Sequence, residues 1–311
     1  MNFFITFGNV LSMLAYMIPG FLLSKFGKVK VEHQSSLSGI LLTVCGPCLI
    51  LNSFLSMDYN PDDFKKMGLF FVVIVSLQAI SLGILSLIFK RKMDDKRYRV
   101  FPICSVFCNV GYFGIPIIKA LLPDSPISVC YASTFSATLN FFTYSLGAYS
   151  VTNDKKYISI KASILNPQVI AFIIAIPLYV FGVRNYLPAL LLNVISVLGG
   201  MTTPLCMIIL GIRLANVDLK KLFTRPLIYA AAFTKLLIFP MFCYLCVRWL
   251  PSSLFNDAFK YTVLILTATP TAAGTLSIAE MYHGETELPA NSVLLSTIFS
   301  CLTIPLLAML I

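Results

Sequence analysis

The chain is predicted to be an all-α membrane protein, with ten transmembrane helices in a five-plus-five inverted repeat whose fourth and ninth helices are broken and cross. Three observations carry that expectation. Of 311 residues, 58% are hydrophobic and 12% charged, against roughly 25% charged in a soluble domain, and the mean hydropathy is +0.87. Ten windows reach the ~20 apolar residues that a bilayer crossing needs. Two of these windows are interrupted by glycine and proline, at Asn109-Val-Gly-Tyr-Phe-Gly-Ile-Pro116 and Thr267-Ala-Thr-Pro-Thr-Ala-Ala-Gly274. They hold equivalent places in the two halves of the chain.

The spans are expected at 3–24, 35–56, 67–89, 98–122, 127–151, 164–183, 188–214, 226–249, 258–282 and 289–310. The first is too long, and lacks the basic leading region, for a cleaved signal peptide, so it reads as a retained span. The second carries Asn52, the third Gln78 and the fifth Asn140 amid apolar residues. The fourth and ninth are the interrupted ones. The eighth holds Lys235, the one charged residue inside the apolar windows 3–24, 34–57, 67–89, 100–118, 125–153, 162–183, 185–212, 226–247, 261–279 and 288–311 on which these spans are centred. Connecting loops are short, so no soluble domain is expected.

The net charge of +10 follows from the loops and does not imply nucleic acid as a partner. Loops 25–36, 90–99, 152–163, 213–225 and 283–288 carry 16 Lys and Arg, and the loops on the opposite side carry six. Cytoplasmic loops hold the basic excess. The expected placement is therefore a multi-pass protein of the plasma (inner) membrane, with the lipid bilayer as partner and both termini on the extracytoplasmic side.

Pro19, Pro47 and Pro116 recur as Pro177, Pro204 and Pro270 at nearly constant offsets. This suggests a first repeat over 1–151, a cytoplasmic linker over 152–163 and a second repeat over 164–311. An odd number of spans per copy forces the two copies into opposite orientations.

A helix broken within lipid leaves backbone groups unpaired at several kcal/mol each, so a chain keeps such a break only where protein or a polar cavity satisfies it. Matched breaks in two halves are the signature of a transporter with its site at mid-bilayer. In the first break, Gly111 and Gly114 permit unusual backbone angles. Pro116 suits the first turn of the following half-helix, and Asn109 is expected in the last turn of the preceding one. In the second, Pro270 and Gly274 are accompanied by Thr267, Thr269, Thr271 and Thr275, whose hydroxyls either satisfy freed carbonyls or ligate a cation. Half-helix N-termini favour anions; the C-termini present carbonyls, which favour cations.

Asn109-Val-Gly-Tyr-Phe-Gly-Ile-Pro116 resembles the Asn-x-Gly-Phe-x-Gly-x-Pro signature of the auxin efflux carrier family, with Tyr112 in place of its Phe. Gly46-Pro47-Cys-Leu-Ile, Asn166-Pro167-Gln-Val-Ile, Pro188, Pro204-Leu205, Leu210-Gly211 and the run from Ala268-Thr-Pro270 to Ala279-Glu280-Met-Tyr282 extend the resemblance over most of the chain. The family includes plant PIN-type carriers and bacterial malate permease-type transporters. The resemblance implies a fold similar to that of bile acid:sodium symporters. Spans 1, 2, 6 and 7 would form a scaffold and spans 3–5 and 8–10 a transport domain moving in an elevator-like manner. The break in the ninth span lacks the acidic residue that bile-acid-type symporters carry there.

On this reading the substrate is a small organic anion, a carboxylate. Candidate binding residues are Asn109, Gly111, Tyr112, Gly114, Pro116, Thr267, Thr269, Pro270, Thr271, Gly274, Thr275, Asn140, Gln78, Asn52 and Lys235. Lys119 and Glu280 are candidate gate or charge partners, and Glu280 is also a candidate partner of Lys235. A homodimer through the scaffold helices is the expected assembly. The rival reading is a lipid- or sterol-sensing membrane receptor of the same fold without turnover. No enzyme is expected, since no nucleophile–base pair, Walker motif or zinc-protease helix is present. Cys45-Gly46-Pro47-Cys48 spells a redox motif but lies inside an apolar span. Cys104 with Cys108, and Cys243 with Cys246, have no convergent His or carboxylate, so no metal and no cofactor is expected. A coupling ion, H+ or Na+, stays open.

Overall fold

The computed structural model describes residues 3–30, 32–216 and 225–311. Lys220 and Lys221, counted in the fourth basic loop, lie outside the described residues. The described chain is helical almost throughout. Its one β-type pairing is an isolated antiparallel bridge between Cys108 and Thr271.

Six helices are long and apolar enough to cross a bilayer: α1 (Phe3–Lys25), α2 (His33–Leu55), α3 (Pro61–Ile88), α8 (Ala189–Asn216), α9 (Pro226–Arg248) and α12 (Glu287–Ala308). A seventh arises if Lys155–Ile164 and α7 (Pro167–Val180), which meet at 42°, are counted as one span. The remaining apolar windows are shorter helices: α4 (Lys96–Val106), α5 (Val110–Leu121), α6 (Pro126–Phe142), α10 (Asp257–Thr267) and α11 (Gly274–Met281). Four of these are the halves of the two broken helices, each too short to span alone. α6 continues through a π-helical turn at Thr143–Gly147 to Ala148–Thr152. Its Ser128, Ser133, Thr134, Ser136 and Thr138 are all buried, so this helix is polar because it faces protein and not lipid.

Local sequence sets the element ends. The Asn60 side chain accepts from Asp62 N–H at 2.9 Å, with Pro61 in the first turn of α3. Asn166 does the same for Gln168 N–H at the start of α7, the N-cap arrangement in which a side-chain oxygen takes an orphan donor.

Packing divides the helices into two groups. α1 packs along α8, and α2 packs on α7 and α8. Gly20 and Gly211 make the first contact feasible: a methyl group at Gly20 would collide with the Ile208 carbonyl, and one at Gly211 with the Met17 carbonyl. Small residues let membrane helices approach to backbone contact. In the second group α3 packs on α6 and α4, α9 on α10 and α12, and α6 on α5 and α10. Phe70 of α3 stacks on Tyr131 of α6 with ring centroids 4.6 Å apart, and Phe259 of α10 meets Phe70 edge-on at 5.1 Å. α1 also packs along α12, and α6 packs on α7 and α2, so the groups share a broad border.

Candidate functional site

α4–α5 and α10–α11 break beside each other. Asn109 N–H donates to the Pro270 carbonyl at 2.8 Å, and Ala272 N–H donates to the Phe107 carbonyl at 2.9 Å. These two bonds form the bridge between Cys108 and Thr271. Each break thus satisfies the other's main chain, which is the condition for irregular backbone at membrane depth.

The first break lies earlier than the glycine–proline cluster suggests. Phe107 to Asn109 are the non-helical residues, and Asn109 precedes the second half-helix instead of ending the first. The Asn109 carbonyl accepts from Phe113 at 3.1 Å and from Gly114 at 3.0 Å, opening α5 with a π-helical turn. Gly111 and Gly114 lie within this helical turn, and Gly114 has ordinary helical angles (φ −68°, ψ −46°). Glycine is needed at Gly114 for closeness: a Cβ there would stand 2.8 Å from Leu266 Cδ2 and 3.4 Å from Thr269 Cγ2 of the other broken helix. Pro116 falls in the first turn of the regular helix that follows, whereas Pro270 lies in the bridge itself. The matched prolines thus sit in different settings, and the bridge itself pairs Cys108 with Thr271.

The four threonine hydroxyls all serve backbone carbonyls. Thr267 Oγ1 donates to Val263 O at 2.7 Å, Thr269 Oγ1 to Leu266 O at 2.7 Å and Thr275 Oγ1 to Ala272 O at 2.7 Å. Thr271 Oγ1 crosses over and donates to Cys104 O at 2.8 Å. Cys104 is four residues before Cys108, so its carbonyl is among those that the break deprives of a helical donor. Thr267 stands in the same relation to Thr271, whose N–H is taken by Ser296 Oγ at 2.9 Å. The Thr267 carbonyl is met by Lys235 Nζ at 2.6 Å. Lys235 is fully buried, 3.2 Å from Cys108 Sγ and 5.2 Å from the Phe239 ring centroid. It neither pairs with Glu280 nor reaches the cavity.

A cavity of about 90 Å³ lies against the crossing. Asn109, Gly111 and Tyr112 at the start of α5 line it, as do Ala272, Ala273 and Gly274 at the start of α11. Both half-helix N-termini therefore face one space, and both half-helix C-termini are capped elsewhere. Asn140 joins the lining through a polar chain: its Nδ2 donates to Gln168 Oε1 at 2.7 Å, and Gln168 Nε2 donates to Tyr112 Oη at 2.6 Å. Asn109 Nδ2 is buried and unpaired, with only the weakly accepting Cys206 thiol beside it. Arg213, at the end of α8, also lines the cavity and holds Glu280 Oε2 of α11 at 3.7 Å.

Several expected site residues lie elsewhere. Gln78 is buried against α6, donating to Thr138 Oγ1 at 3.1 Å. Asn52 is half-buried on α2 and outside the cavity lining. Lys119 is exposed at the far end of α5. Glu280 is exposed at the end of α11, paired with Arg213. Sequence reasoning missed Arg213, Gln168, Ser136, Thr143 and Cys206, all in the lining. It also missed the π-helical turns: those at Leu41–Cys45, Val110–Gly114 and Thr143–Gly147 contribute lining residues, and the one at Thr234–Ile238 carries Lys235. Such turns are frequent at functional sites. All nine cysteines are free, and no metal-ligating cluster occurs among the described residues.

A family model described as "membrane transport protein" matches the chain twice, at residues 5–163 and 156–308. The chain belongs to this family, which is that of the auxin efflux carriers. The double match places the same family pattern on each half, each copy containing one of the two breaks. Among similar proteins, an uncharacterized transporter of Methanocaldococcus jannaschii is 26% identical, covering 96% of each chain. An uncharacterized transporter of Methanothermobacter thermautotrophicus is 21% identical over the same shares. The protein is a multi-pass integral membrane transporter of this family.

Proposed function

We propose that this transporter moves small organic anions, carboxylates above all, by secondary transport, and that the substrate binds in the cavity at the crossing. The observation that carries the reading is the convergence of two half-helix N-termini and Arg213 on one space, with the unpaired Asn109 amide buried beside it. Half-helix N-termini contribute partial positive charge. The planar fork of arginine matches a carboxylate in two parallel hydrogen bonds. Asn109 supplies a donor whose one neighbour is the weakly accepting Cys206 thiol, and Tyr112, held by Gln168, supplies a hydroxyl.

The division of packing supports an elevator-type alternating-access movement. α1, α2, α7 and α8 would be the static scaffold, and the broken helices with α3, α6, α9 and α12 the moving unit. Arg213 and Glu280 then stand on opposite units, and an incoming carboxylate competes with Glu280 for the guanidinium. Ser38, Arg213 and Met281 of the lining adjoin basic-side loops, so by the positive-inside rule the cavity faces the cytoplasm, with both termini outside.

The test is purified protein with a panel of mono- and dicarboxylates, read by thermal shift and by uptake into proteoliposomes. A ligand that binds only the folded state raises the melting temperature. A carboxylate is expected to do so and to be taken up. Arg213→Gln should weaken that carboxylate by roughly 10- to 100-fold, the value of a hydrogen bond to a charged group, with the ligand-free melting temperature unchanged. Uptake of cations or neutral solutes alone would overturn the anion reading. Ligand binding without counterflow would replace transport by a receptor role.

A further inference from the structure

Two carbonyls freed by the breaks, each four residues before its bridge residue, are capped by different chemistry. On one side Thr271 reaches across the bridge and its hydroxyl donates to Cys104 O at 2.8 Å. On the other, the residue that reaches across is Cys108, whose thiol stands 3.8 Å from Thr267 O. A thiol is a weak donor, and at that distance it leaves the carbonyl at the negative end of a helix dipole nearly unmet. Lys235 takes its place. The ammonium lies 2.6 Å from Thr267 O and 3.2 Å from Cys108 Sγ, over the face of Phe239, and is shut off from solvent. None of these partners is a carboxylate, and Lys235 forms no ion pair among the described residues.

We propose that Lys235 is the resident cation of the crossing: its tethered ammonium occupies the carbonyl-end position that a mobile cation would otherwise fill, so that the crossing binds no sodium. The remaining carbonyl end is closed by the Thr271 hydroxyl, and the hydroxyls of Thr267, Thr269 and Thr275 are turned back on their own helices. Lys235 is a positioning residue: it fixes the bridge and, through it, the two half-helix N-termini that line the cavity. The inference deepens the transport reading above and rests on the crossing being its site.

The experiment compares melting temperatures of detergent-purified protein in sodium, potassium, choline and methylammonium chloride at equal ionic strength. Wild type should melt at the same temperature in all four. Lys235→Ala leaves both a cation-sized space and an orphan carbonyl. It should fall by an amount on the order of 5 °C in choline chloride and recover at least half of that loss in sodium or methylammonium chloride. Lys235→Met fills the space without a charge and should show the fall without the recovery. A merely structural lysine would give no cation-selective recovery in the alanine variant. Stabilisation of wild type by sodium over potassium and choline overturns the proposal, as does a methionine variant as stable as wild type. If the alanine variant does not fold, the wild-type comparison and the methionine variant still decide. These readouts use no substrate, so a failure of carboxylate uptake would sink the anion reading and leave the outcome of the cation comparison standing.

Discussion

Thr271→Val isolates the cross-capping of the broken helices. The substitution keeps the side chain's shape and removes one hydroxyl, the donor to the buried Cys104 carbonyl at 2.8 Å. No other donor to that carbonyl occurs among the described residues, because the break carries Cys108 N–H out of the helical ladder. The bridge itself is main chain and persists. A buried acceptor left without a partner costs about 1–3 kcal/mol. At roughly 2–4 °C per kcal/mol for a chain larger than a small domain, the melting temperature should drop by about 2–12 °C. Thr267→Val is the control. Its hydroxyl donates to Val263 O and Leu264 O within its own helix, where the ladder already supplies a backbone donor to Val263 O. It should therefore melt within about 2 °C of wild type, as expected for a change under about 0.5 kcal/mol. Both variants are measured in the same detergent by intrinsic thermal unfolding. Equal melting of Thr271→Val and wild type, or equal losses in the two variants, would refute the capping argument.

Two further outcomes follow from the scaffold and the mouth of the cavity. Gly211→Ala places a methyl on the Met17 carbonyl of α1; since backbone cannot rotate aside, folded yield should fall sharply, whereas Gly8→Ala, which meets nothing, should express normally. Glu280→Gln removes the partner of Arg213 across a 3.7 Å pair that is half open to solvent. Its stability should change by less than about 1 kcal/mol, while the apparent affinity for a carboxylate rises, as measured by thermal-shift titration.

The existence of the crossing was legible because glycine and proline are conspicuous inside apolar runs. Its position was displaced by several residues. Phe107, Cys108 and Asn109 carry no proline or glycine; they leave the helix where the Pro270–Ala272 segment is there to pair with them, a partner 161 to 165 residues away. Gly114 looked like a hinge and is a contact point. Lys235 stood out as a lone charge in an apolar window, yet its partner is a main-chain carbonyl, which no side-chain pattern announces. Arg213 was hidden by its place at the end of an apolar run, where it reads as one more loop cation. Gln168 was visible only as part of an Asn-Pro helix start, and its reach to Tyr112 depends on Gly46, where a Cβ would stand 2.5 Å from Gln168 Nε2. The π-helical turns escape a search for 3.6-residue periodicity by definition.

The Cys108–Thr271 joint has a consequence for how such a protein diversifies. It is fastened amide to carbonyl, and every residue type except proline brings the same amide and carbonyl to that place. Substitutions that reshape the lining, exchanging an amide for a hydroxyl or a tyrosine for a phenylalanine, leave the fastening untouched. Ligand preference and architecture can therefore drift independently, and chains sharing a quarter of their residues or fewer can keep one mechanical core while recognising different molecules.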